Sequence, residues 1–152
     1  MRDPEGEPVH EALERTIGLA CSPERAFQVF VDHVDLWWPR GHRRFRDGTL
    51  RFDGERLVDL APDGSEWTMA SVVERVAPSR LRLDWFPGSP KAPTSVEIGF
   101  LPEGNGTRVT IVHRPLSADA NAIWAERVAT FAGGWDAVLP ALAAFVANKE
   151  DD

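Results

Sequence analysis

The chain has 152 residues, enough for one compact domain that buries roughly 70% of its unfolded surface. Its 17 basic and 24 acidic residues leave a formal net charge of -7, which argues against nucleic acid and anionic membrane surfaces as partners. Six tryptophans, eight phenylalanines and no tyrosine put the large aromatic area into apolar walls, of a core or of a pocket, rather than into acid–base chemistry.

Residues 1–8 read as a disordered lead without the apolar stretch of a signal peptide, and 149–152 as an acidic tail. Between them, 9–148 form a single domain with no internal repeat or linker. Cys21 is the one cysteine, so no internal disulfide forms and a reducing, cytoplasmic setting is expected. No run approaches the ~20 apolar residues of a membrane span.

From Val9 to Ala20 a loose alternation predicts a first strand. Ser22-Pro23-Glu24-Arg25 then starts a helix, with serine at the N-cap and proline at the first helical position. Ala26, Phe27, Phe30 and Val31 continue it, and Val34, Trp37 and Trp38 follow before Pro39. This makes one short helix, or two with a bend near His33. Arg40, Arg43, Arg44 and Arg46 read as a solvated loop at the mouth of something.

Strands with turn signals fill the middle. Asp53-Gly54 joins Thr49–Phe52 to Arg56–Leu60, and Pro62-Asp63-Gly64 makes the next turn. Glu66 to Val76 is expected to place Trp67, Met69, Ser71 and Val73 on one face. Leu81, Leu83 and Trp85 alternate, a proline- and glycine-rich loop spans Pro87 to Pro93, and Val96, Ile98 and Phe100 alternate again. Asn105-Gly106 is read as a hairpin turn into Val109, Ile111 and His113. From about Ala118 to Asn148 the apolar period lengthens to that of a long amphipathic helix, which Gly133-Gly134 and Pro140 should bend. The order β, short α, six antiparallel strands, long α predicts an α+β domain whose curved sheet of six to seven strands wraps around the C-terminal helix.

Four stretches carry a resemblance. They are Ser22-Pro23-Glu24-Arg25-Ala26-Phe27, Leu36-Trp37-Trp38-Pro39, Pro62-Asp63-Gly64-Ser65-Glu66-Trp67 and Gly133-Gly134-Trp135-Asp136. In this order the chain resembles the START-related helix-grip (SRPBCC) superfamily, and more narrowly the Hsp90-ATPase-activator homology (AHSA1-like) group, from Ile17 to about Val146. It departs from the usual pattern at Asp53-Gly54-Glu55, where a double glycine is common, and at Pro115, where a glycine is common. The resemblance implies a helix-grip fold. It leaves three activities open: apolar ligand binding, cyclase-like chemistry and chaperone regulation.

The residues favour a non-catalytic binder of a small hydrophobic or aromatic ligand, such as a lipid or polyketide, between sheet and helix. Candidate ligand-binding residues are Trp38, Phe52, Trp67, Met69, Trp85, Ile98, Phe100, Ile111, His113, Trp124, Phe131 and Trp135. Each of these could equally be core. His113 continues the apolar Val109–Ile111 face, either as a polar anchor or acid–base group or as a satisfied buried side chain. An enzyme of cyclase or hydrolase type would have to use it. His10, His33 and His42 are too scattered for a metal, and no motif implies a cofactor. A homodimer through the strand edges, and Hsp90 as a partner, remain open.

Overall fold

The computed structural model describes residues 12–85, 94–116 and 118–149. The expected lead, the start of the first strand, the Pro87–Pro93 loop and the end of the acidic tail lie outside the described residues. Seven antiparallel strands run β1 (Leu13–Leu19), β2 (Thr49–Asp53), β3 (Arg56–Leu60), β4 (Glu66–Val76), β5 (Arg80–Trp85), β6 (Thr94–Glu103) and β7 (Gly106–Pro115). They form one sheet in the order β1-β7-β6-β5-β4-β3-β2, with β1 and β2 at its edges. Two helices, α1 (Pro23–Asp32) and α2 (Val34–Trp37), follow β1, and α3 (Ala118–Lys149) closes the chain. This is the helix-grip architecture.

The local chemistry explains the boundaries. Ser22 Oγ accepts the Arg25 backbone N–H at 3.2 Å, and Pro23 sits where a helix needs no amide donor. His33 separates α1 from α2, so the two-helix alternative holds. The β2–β3 hairpin turns at Gly54-Glu55 and the β6–β7 hairpin at Gly104-Asn105. In both, glycine takes positive φ, +62° and +58°, at the first central position, as tight hairpins of the II′ kind require. The second turn is therefore one residue earlier than the Asn105-Gly106 expected. Gly106 instead lies against β1, where an added Cβ would stand 2.3 Å from the Leu19 carbonyl oxygen.

Strand β4 departs from strict alternation. Register shifts beside Leu57/Val58 and between Val72 and Glu74 insert two extra residues. Trp67, Ala70 and Val72 consequently share the inner face, opposite Asp59, Leu57 and Leu83, while Ser71 turns outward. Met69 is buried beside Ala70, and Val73 is exposed. The single face expected for Trp67, Met69, Ser71 and Val73 is broken by these bulges, which add a residue without changing the hydrophobic pattern.

Helix α3 is continuous through Gly133, Gly134 and Pro140. Contrary to expectation, its Trp124–Asn148 stretch, with a mean hydropathy of 1.4, is long and apolar enough to cross a membrane. Trp124, Trp135, Val138, Leu139, Leu142 and Val146 are nevertheless buried against the rest of the domain. Alanines and glycines fill much of the remaining length, raising hydropathy with little bulk. It is a core helix.

Candidate ligand cavity

The aromatic residues divide into two groups. Beneath α1, Phe100 meets Phe27 and Phe30 with ring centroids 5.2 and 5.7 Å apart, and Phe30 also packs on Trp37 and Phe52. Ile98, Phe100, Ile111 and Met69 are buried there or alongside. Beneath the middle of α3 the second group forms around Trp38, Trp85 and Trp135, whose centroids lie 5.6 to 6.0 Å apart.

A half-open cavity of about 140 Å³ adjoins that second group, lined by Trp38, His42, Trp85, Thr130, Phe131, Gly134, Trp135 and Val138. Trp38 reaches it from the end of α2, Trp85 from the end of β5, and the other apolar residues from α3. Gly134 keeps it open. A Cβ added there would have His42 Nδ1 as its nearest neighbour, at 4.0 Å. Trp38 Nε1 donates to the His42 carbonyl at 3.1 Å, and Trp135 Nε1 donates to His113 Nδ1 at 3.1 Å. Two of the three indole walls thus spend their only donors on internal partners.

His113 lies behind those walls and is 0% exposed. An indole N–H can only donate, so Nδ1 must be the bare nitrogen and the proton sits on Nε2, which donates to Thr94 Oγ1 at 2.6 Å. Phe131 and Trp124 cover the ring at 4.4 and 5.4 Å between centroids. Burial lowers its pKa from 6.5 to about 3, because a charged imidazolium would lose water without gaining a counter-ion. The ring is neutral, and neither nitrogen is available to a substrate.

The segment at the cavity mouth is largely exposed, as expected, but its arginines tie it down. The Arg43 side chain is 1% exposed; it reaches Asp35 Oδ1 at 2.6 Å and donates to the Asp35 and Trp38 carbonyls. Arg40 donates to the Arg46 and Gly48 carbonyls, and Arg44 lies 4.6 Å above the Trp67 ring. Asp59 is fully buried on β3, and its Oδ2 accepts the Arg44 and Phe45 amides. Its Oδ1 has no partner among the described residues, and desolvation raises its pKa. The expected solvated arginine loop holds for Arg40, Arg44 and Arg46, which are exposed, and is corrected at Arg43, which is buried against Asp35 and the Trp38 carbonyl.

Of the candidate residues, the fold brings Trp38, Trp85, Phe131 and Trp135 together on the cavity, with His113 and Trp124 behind them. Phe52 and Met69 pack elsewhere in the core, and Trp67 sits half-buried under Arg44, not in the space beside Gly134. Val138 belongs to the apolar stripe that predicts the long helix, His42 reads in the sequence only as one of the scattered histidines, and Thr130 carries no signal of its own. The nearest hint to His42 was its spacing of four residues from Trp38. Cys21 is half-buried with its thiol pKa raised by desolvation, the setting of a small packed hydrophobe. Among the described residues no three His, Cys, Asp or Glu side chains converge on a metal position.

Comparison with known proteins follows this geometry. No curated protein matches the sequence. Protein NE0264 from Nitrosomonas europaea has the same fold with a TM-score of 0.66 and 16% identity, covering 93% of this chain and 97% of that one. The Aha1 dimer from Colwellia psychrerythraea gives 0.65 at 15% identity, over 90% and 96%. CalU16 from Micromonospora echinospora gives 0.61 at 16%, over 96% and 81%. At such identities the likeness is one of fold. The family model described as activator of Hsp90 ATPase homolog 1-like protein matches residues 20–147, and the chain belongs to that family.

Proposed function

We propose that this chain is a non-catalytic binding protein that holds one small apolar or aromatic molecule between the sheet and α3. The observation that carries the reading is the half-open space of about 140 Å³ walled by Trp38, Trp85, Phe131 and Trp135. An apolar cavity of about 150 Å³ accepts benzene, whereas drug-sized ligands occupy roughly 300 Å³ or more. The volume therefore suits a single ring or a short branched chain better than a lipid or an extended polyketide. Catalysis by His113 is disfavoured, since both ring nitrogens are committed inside the protein. The lone, half-buried Cys21 suits a reducing compartment such as the cytoplasm.

Titration with toluene, followed by quenching of tryptophan fluorescence and by thermal shift, tests the reading. Saturable quenching that Trp135→Ala or Trp38→Ala weakens supports it; the absence of any saturable response rejects it.

The family description favours a second reading, a protein-interaction module that engages Hsp90, and the dimeric Colwellia neighbour favours pairing of two copies. Here β1 and β2 offer the sheet edges for such pairing. A pull-down with Hsp90 that recovers nothing, and a monomeric mass by light scattering, would dispose of both.

A further inference from the structure

Resting on the cavity reading above, we infer that the ligand is a single aromatic ring bearing a neutral hydroxyl group, with the ring inside and the hydroxyl at the rim between His42 and Thr130. The interior offers no polar partner from Trp38 or Trp135, whose indole N–H groups are already bonded. Among the described residues, the polar side chains on the cavity besides the Trp85 indole are His42 and Thr130, and both are exposed. Neither side chain makes a hydrogen bond to a described residue, so each has capacity to spare for a ligand. His42 is held in place regardless, because its own carbonyl accepts the Trp38 indole proton that anchors the adjacent wall. The gap at Gly134 brings His42 Nδ1 within 4.0 Å of where a side chain would otherwise stand, so a ring seated over Gly134 puts its substituent beside the imidazole.

The polarity of the substituent follows from the surroundings. Among the described residues no carboxylate lines the cavity, so a ligand ammonium group would find no counter-ion from them. The net charge of -7 opposes an anionic ligand. A hydroxyl can both donate and accept, so it can pair with the His42 ring and with the Thr130 hydroxyl.

Titrations of phenol, toluene and benzoate against the wild-type chain, His42→Ala and Thr130→Val test the inference; both substitutions are at exposed positions and should leave the fold intact by circular dichroism. Removing one hydrogen-bonding partner should weaken phenol about fivefold while toluene changes by less than about twofold. Phenol and toluene weakened alike by His42→Ala, phenol unaffected by both substitutions, or benzoate binding more tightly than phenol would each overturn it. If toluene binds and phenol does not, the hydroxyl inference fails and the apolar cavity stands. If neither binds, the cavity reading fails with it.

Discussion

Replacing His113 by glutamine tests how the wall behind the cavity is held together. In the folded chain the imidazole is neutral with a pKa of about 3, against 6.5 for an ordinary histidine. A lowered pKa means that protons bind the unfolded chain more readily than the folded one. The contribution to stability is complete above pH 6.5 and is lost progressively as the pH falls from 6.5 towards 3. Between pH 7 and pH 5 the unfolded imidazole takes up most of a proton and the folded one almost none, a loss of about 2 kcal/mol. The same proton would turn Nδ1 into a donor facing the Trp135 donor, so the loss has a geometric cause as well as a desolvation one. His113→Gln should be less stable than wild type at pH 7 by about 1–3 kcal/mol, because the Trp135 and Thr94 hydrogen bonds are re-formed imperfectly. It should also lose the 2 kcal/mol component of the pH dependence. Urea unfolding at pH 5, 6 and 7, followed by tryptophan emission, measures both. A wild-type slope that the substitution leaves unchanged would refute the assignment of a neutral, doubly engaged His113.

Five further substitutions, at four positions, probe the elements around the cavity. Arg43→Met leaves Asp35 and two carbonyls without their buried partner; a loss of about 3 kcal/mol is expected, read as a fall of about 6–12 °C in Tm by calorimetry. Asp59→Asn keeps an acceptor for the Arg44 and Phe45 amides while removing a desolvated charge, so its urea midpoint at pH 7 should equal or exceed that of wild type. Asp59→Ala should cost about 1–3 kcal/mol. Because the raised Asp59 pKa makes the folded chain the better proton acceptor there, the Asn variant should gain least over wild type at acid pH. Gly133→Ala, with open space around the added methyl, should stabilise α3 by up to about 1 kcal/mol, whereas Gly106→Ala drives a Cβ into the Leu19 carbonyl and should cost about 2 kcal/mol. Thermal denaturation of the pair checks both signs.

The architecture was largely legible because each boundary has a local cause. Ser22-Pro23 caps a helix wherever it folds, Gly54 and Gly104 serve turns that other residues resist, and the lengthened period after Ala118 admits one long helix. The β4 bulges were not legible, since inserting Met69 and Val73 changes which face a residue takes without changing its hydrophobicity. The partition of the aromatics was also hidden. Phe100 and Trp85 both alternate inward on neighbouring strands, yet one meets α1 in the core and the other meets the gap at Gly134. Arg43 and His42 show the same limit from the polar side. Adjacent in a run that reads as solvated, one is buried beside Asp35 and the other stands at the cavity rim, because Trp38 binds the carbonyl of His42 and Arg43 binds the carbonyl of Trp38.

A crystal of the chain equilibrated with toluene tests the binding role most directly. Ordered density for one ring is expected between Trp38, Trp85, Phe131 and Trp135, over Gly134, with the His113–Trp135 hydrogen bond retained behind it. Side chains closed over that space, with toluene absent at saturating concentration, would contradict a binding role for this cavity.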